Sequence, residues 1–192
     1  MGNQFCTHKI ILASGSPRRQ QFLRDLQFDF EIRLKEVAEV YPDHLQGVEI
    51  TNYLAQLKAN AFEGTLEDQE VLLTSDTIVW FENKALGKPK DYEDAFAMLK
   101  AMSGKTHEVI TSVCFKTNRK TETVFEVTKV TFKNLSDEVI HHYLENYKPF
   151  DKAGAYGIQE WIGLIGIAKI EGSYTNVVGM PTDVVFEYLT NL

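Results

Sequence analysis

Two patterns alternate along the first half of this chain, short β-rich runs and stretches with helical spacing, before two long β-rich runs follow one another directly. Alternating strand and helix builds parallel strands joined by crossover helices, whereas consecutive strands pair as hairpins. The combination predicts a mixed α/β fold, a sheet with helices packed around it, and not a purely parallel doubly wound one. Lys9 to Ala13 is the first strand run and ends in the turn residues Ser14-Gly15-Ser16. A helix follows at once. Ser16 suits its N-cap, Pro17 its first position, and Phe22, Leu23 and Leu26 form an apolar stripe. Phe28 to Leu34 alternates like a strand, and Ile50 to Phe62 has helical spacing with Tyr53, Leu54 and Leu57 on one side.

Val71 to Phe81 is a strong strand signal interrupted by the polar Ser75-Asp76-Thr77, which a hairpin turn would also explain. Asn83 to Pro89 reads as turn and loop, and Asp91 to Met102 as a helix. Val109 to Lys116 and Thr123 to Phe132 are the two long strands, joined by a polar turn. Ser136 to Asn146 is helical with Ser136 as N-cap. Pro149 to Gln159 is Gly-rich and irregular, Leu164 to Ile170 a strand, and Thr182 to Leu189 a closing helix.

With 192 residues the chain can bury a substantial core without staples, and no linker, repeat or low-complexity tract divides it. It is expected to form one domain over 1–192. Cys6 and Cys114 lie in no ligand pattern and read as free thiols of a reducing compartment. Met1 to Lys9 is too short and polar for a signal peptide, and no apolar run approaches the ~18–20 residues of a membrane span. The expected location is the cytoplasm. A net charge of −7 argues against stable nucleic-acid binding, which is driven by neutralising phosphates. It leaves room for a small phosphorylated ligand whose cationic partners are gathered locally.

Such a gathering occurs at Ser14-Gly15-Ser16-Pro17-Arg18-Arg19, where a tight turn feeds a helix N-terminus. Unpaired first-turn N–H groups favour an anion there, and guanidinium matches phosphate oxygens bidentately. A capped helix with solvated arginines is the plainer account of the same residues. Asp76 stands in an apolar run, where a buried carboxylate must be paired, hydrogen-bonded or bound to metal. Lys88 and Lys90 flank Pro89 in a short loop, and Lys58 lies on the helix after Thr51. Glu36 and Glu39 are acidic side chains that could complete an oxygen-ligand metal site of the magnesium kind. In Asp151 to Gln159, small residues allow close backbone approach, while Lys152 and Gln159 offer donors; the Gln159 amide can pair with the edge of a base. The five histidines have no metal-ligand spacing. Singly, each of these signals also fits an ordinary surface.

Taken in order, they resemble the Maf family of nucleotide pyrophosphatases. The resemblance rests on Leu12-Ala-Ser-Gly-Ser-Pro-Arg-Arg19, Ser75-Asp-Thr-Ile-Val79, Leu86-Gly-Lys-Pro-Lys90, Met102-Ser-Gly-Lys-Thr-His107 and Asp151-Lys-Ala-Gly-Ala-Tyr-Gly-Ile-Gln159. Gly172-Ser-Tyr and Val178-Gly-Met-Pro181 carry it to the C-terminus. It implies a long, bent mixed sheet with a cleft between two lobes, related to the inosine triphosphate pyrophosphatase group, and commonly a homodimer. The implied reaction converts a nucleoside triphosphate and water to a monophosphate and pyrophosphate. A divalent cation, magnesium or manganese, is expected on Glu39 and Asp76, with Asp76 also the favoured base. Arg19, Lys58 and Lys88 are expected at the phosphates, with Ser14 and Ser16 at the helix N-terminus and Lys152 beside the substrate.

Three positions bear on the base. In the subclass resembling 7-methyl-GTP enzymes, the positions of Arg18, Thr77 and Gln159 carry Trp, Gln and Glu. The residues here match the dTTP and UTP subclass, and a neutral Gln suits a uracil or thymine edge. Ser75 departs from the family's commoner Ala. The rival expectation is a non-catalytic, nucleotide-binding regulator of cell division.

Overall fold

The computed structural model describes residues 6–192. Strand β1 (Lys9–Leu12) leads through helix α1 (Pro17–Asp25) to β2 (Phe30–Ile32), then through α2 (Val48–Asn60) to β3 (Glu70–Phe81). Strand β4 (Lys84–Leu86) precedes α3 (Tyr92–Met102). The long β5 (Thr106–Lys116) and β6 (Thr121–Phe132) follow, then α4 (Asp137–Tyr147), α5 (Trp161–Gly166), β7 (Ile167–Glu171), α6 (Tyr174–Val178) and α7 (Thr182–Thr190). One seven-stranded mixed sheet runs in the order β2-β1-β3-β5-β6-β7, with β4 on β3. As the alternation requires, β1 pairs in parallel with both β2 and β3, while β3–β4 and β6–β7 are antiparallel.

The interrupted run proves to be one continuous strand. In β3 all but Thr77 and Trp80 are buried, as expected of a central strand covered on both faces. The turn lies later, at Glu82-Asn83, whose positive φ values of 49° and 60° suit a tight hairpin. That hairpin makes β4 out of a segment expected to be loop. The second difference is Leu164, expected to open a strand but placed in α5, so that β7 begins at Ile167. The short helix α6 carries no long apolar stripe and was not expected. Ser136 does cap α4, accepting a hydrogen bond from the Val139 N–H at 3.4 Å. No helix among the described residues is long and apolar enough to cross a membrane.

The chain forms two compact units: one runs to Asp76 and adds Thr111–Glu126 and Gly179–Leu192, the other comprises Thr77–Ile110 and Val127–Val178. In the first unit the strand alternation sorts the core by face. Ile10, Leu12, Val71, Leu73, Val113 and Phe115 join Leu23 of α1 and Val185 and Leu189 of α7. Their neighbours Ile11, Leu72 and Cys114 point the other way, onto Ala55, Ala59 and Phe62. Each fully buried large aliphatic stabilises by about 1.5–3 kcal/mol. The second unit has its own core, in which Leu99 and Met102 of α3 and Ile140, Tyr143 and Leu144 of α4 cover Val109, Val130 and Phe132.

Candidate active site

The face alternation decides where Asp76 points. Continuing Leu72 along β3 by steps of two reaches Thr74 and Asp76, so all three face α2. Thr74 confirms the direction, its hydroxyl donating to the Ala55 carbonyl at 2.6 Å. On α2 the small Ala55 and Ala59 bring the helix close to the sheet, and Lys58 lies beside them on the facing side. The Lys58 ammonium donates to Asp76 Oδ1 at 2.7 Å and reaches the Ser75 carbonyl at 3.5 Å. It also pairs with Glu39 Oε2 at 3.2 Å. Asp76 is only 7% exposed, so this pairing offsets the cost of burying its charge.

Arg19 approaches from α1. Its guanidinium donates to the Ser75 carbonyl at 2.9 Å, the Gly179 carbonyl at 2.9 Å and, at 3.5 Å, the Ser14 hydroxyl. Burial lowers the Arg19 pKa, Asp76 and Glu39 pull it back up, and Arg18 adds to the lowering. An arginine remains charged under such a load. Ser14 is buried, and its hydroxyl accepts from the Ser16 N–H at 3.2 Å, which shapes the turn. Ser16 occupies the N-cap position of α1 without its side chain closing the first turn. Arg18 is half-buried.

Glu39 and Asp76 are the two carboxylates that meet at one cation, here the Lys58 ammonium. Among the described residues no group of three or more His, Cys, Asp or Glu side chains is placed to hold a metal. That donor set suits neither zinc nor an all-protein calcium cage. It fits magnesium or manganese, which take one or two carboxylates and complete their shell with substrate phosphates and water. Glu36 is exposed.

Thr77, Lys88, Lys152 and Gln159 fall in the second unit. Thr77 follows Asp76 along β3 and is half-buried, while Lys88 and Gln159 are exposed. The Gly87 carbonyl accepts from the Gly154 N–H at 3.0 Å, tying the Lys88 loop to the segment bearing Lys152. Gly154 has φ +67°, and a Cβ there would meet Val79 Cγ2 at 2.9 Å, so only glycine fits. Lys152 is largely buried and held by Asp151 at 2.7 Å and Glu160 at 3.0 Å.

Sequence reasoning assigned no role to the groups that build this loop, although His107 and Tyr156 stand in its motifs. Glu160 also accepts a close hydrogen bond from the Tyr143 hydroxyl, which in turn accepts from the Gly157 N–H at 3.0 Å. Burial first, and then the Glu160 contact, push the Tyr143 pKa up, so it stays a neutral donor. His107 pairs with the Tyr156 hydroxyl at 2.7 Å, and burial pushes its pKa down to about 4. Glu160 was open to notice as the charge that follows Gln159. Tyr143 was hidden among the apolar residues of α4.

The model of the Maf-like protein family matches residues 9–192. The chain belongs to that family. Among curated relatives, the dTTP/UTP pyrophosphatase of Flavobacterium johnsoniae is 70% identical over 96% of this chain and 95% of its own. That of Christiangramia forsetii is 53% identical over 96% and 94%. Among solved structures, the Staphylococcus aureus Ham1 protein aligns over 95% of this chain and 98% of its own, with a TM-score of 0.51 and 14% identity. At that identity the likeness concerns the fold alone. It agrees with the mixed α/β class expected for a Maf chain.

Proposed function

We propose that this Maf-family chain is a nucleoside triphosphate pyrophosphatase that hydrolyses dTTP and UTP to the monophosphate and pyrophosphate, clearing nucleotides from the pool. The convergence of Lys58 and Arg19 on the Ser75-Asp76 segment carries the reading. A buried carboxylate beside two cations, close to the start of α1, suits an attack on a phosphate chain. The pyrimidine preference rests on the names of the curated relatives and on Arg18, Thr77 and Gln159.

In this reading Asp76 takes the proton of the attacking water, and Arg19 and Lys58 neutralise charge on the phosphate oxygens, with Lys88 assisting. Ser14, Ser16 and the first turn of α1 hold a phosphate, and Lys152 braces the loop from which Gln159 reads the base edge. Glu39 and Asp76 would hold a divalent ion, which supplies further charge neutralisation and a more acidic water. The whole chain is proposed to work as one functional domain, a homodimer in the cytoplasm, with no stable nucleic-acid partner.

The test is pyrophosphate release from a panel of nucleoside triphosphates with magnesium, with manganese and with chelator. Release that needs metal and is fastest with dTTP and UTP is expected. A folded protein that releases none from any of them would overturn the enzyme reading and turn attention to nucleotide binding and cell-division partners.

A further inference from the structure

The Lys58 ammonium sits between Asp76 Oδ1 at 2.7 Å and Glu39 Oε2 at 3.2 Å. The three residues come from a strand, a helix and a loop, so the meeting is a product of the fold and not of chain proximity. Asp76 is buried, whereas the Glu39 side chain is 55% exposed and can swing. Arg18 and Arg19 complete the charged group, since both Asp76 and Glu39 act on Arg19 and Arg18 acts against it. Lys58 and Arg19 thus both act on the two carboxylates. A free divalent cation meets a site whose two carboxylates are already engaged by cations. A polyanionic nucleotide meets an attractive one.

We infer that Lys58 is an internal stand-in for the metal, holding Glu39 and Asp76 together and barring free cations until the triphosphate draws its ammonium away. The nucleotide and the divalent ion then enter together, with Lys58 passing from the carboxylates to the phosphate chain. This order of loading rests on Glu39 and Asp76 being the metal ligands. It is a property separate from turnover, since it concerns the protein before any substrate is present. It also gives the exposed Glu39 a purpose: one mobile carboxylate lets the site exchange an ammonium for a metal without moving β3.

The experiment is manganese binding by calorimetry to the full chain, alone and with an α,β-methylene analogue of dTTP. The unmodified protein is expected to bind manganese weakly alone and much more tightly with the analogue. Lys58→Met and Lys58→Gln, checked for folding by circular dichroism, are each expected to bind free manganese at least roughly tenfold more tightly, because a like charge within a few ångströms of the ion is gone. Lys58→Arg, which keeps the charge, is expected to match the unmodified protein. Adding Asp76→Asn to Lys58→Met is expected to abolish the gain. If the folded neutral variants bind free manganese no more tightly, or the arginine variant gains as much as they do, the stand-in role is wrong. Should they fail while the unmodified protein still cleaves dTTP with metal, the pyrophosphatase reading stands and only the loading order falls. A gain in Lys58→Met that survives Asp76→Asn would remove Asp76 as the ligand and overturn both the inference and that metal assignment.

Discussion

Lys58 and Lys152 each lie between two carboxylates, and the surroundings make them different devices. Lys58 joins Asp76 and Glu39, brought together from a helix, a strand and a loop. Lys152 joins Asp151 and Glu160, its chain neighbours. Around Lys58 the surroundings are looser: Glu39 is exposed, and Arg19 donates to the Ser75 and Gly179 carbonyls. Around Lys152, Glu160 is held a second time by the Tyr143 hydroxyl, which also ties down Gly157. An ion pair whose members have further fixed partners braces a loop. One whose members can let go is available for chemistry.

The largest test of that contrast is Asp76→Asn, which keeps size and much of the hydrogen bonding but removes the charge. Turnover of dTTP is expected to fall by about 10²–10⁴ with little change in thermal stability; near-normal turnover at saturating metal would take Asp76 out of the base role. The counterpart, Glu160→Ala, removes one of the two carboxylates on Lys152 and takes its acceptor from the buried Tyr143 hydroxyl. Its expected signature is reversed: a loss of about 1–3 kcal/mol in urea unfolding and a raised KM, with kcat falling less than in Asp76→Asn. An equal collapse of kcat would mean that Glu160 belongs to the chemistry and would end the distinction.

A third test uses acid. His107 anchors Tyr156 in the same loop and is held neutral down to about 4, against an ordinary value of 6.5. The unfolded chain takes up that proton first, so stability is expected to fall as pH drops from 6.5 toward 4, by up to about 1.4 kcal/mol per pH unit. Glu70 acts in a lower window. The Arg33 guanidinium, which grips its carboxylate, lowers its pKa from 4.5 to about 2, so its contribution is lost only as pH falls from 4.5 toward 2. Urea midpoints at pH 7 and pH 5 for the unmodified chain and His107→Asn therefore isolate the histidine; an unchanged pH dependence in the variant would discount it.

The smallest effect is expected at Ser75. It shares the face of Leu73, opposite Asp76, and its buried hydroxyl has no hydrogen-bond partner among the described residues. Ser75→Ala should leave turnover alone and raise stability by up to about 1 kcal/mol, because an unmet polar group is removed. A drop in stability or turnover would show that the hydroxyl is used.

Much of the fold was legible because local rules agreed with it. The runs at Lys9, Val71, Val109 and Thr123 became strands, and Ser136 and Pro17 stand where helix starts need them. Leu164 misled because an isolated apolar run of this length satisfies helix and strand alike, and tertiary packing chose helix. The hairpin at Glu82-Asn83 was hidden because neither residue is the glycine that such a turn prefers.

For the candidate site the division is similar. The order of the motifs, the strand that bears Asp76 and the helix start beside Arg18 and Arg19 follow from the sequence alone, since each depends on neighbours within a turn or a strand. The family likeness followed too, because it is carried by residue types in order. That Lys58 reaches Asp76, that Glu39 joins them, and that Glu160 and Tyr143 brace the loop were decided only by tertiary structure. Residues 39, 58 and 76 meet because the two-residue repeat of β3 turns Asp76 toward α2 and two alanines let that helix come close. No local pattern records a distance across two elements.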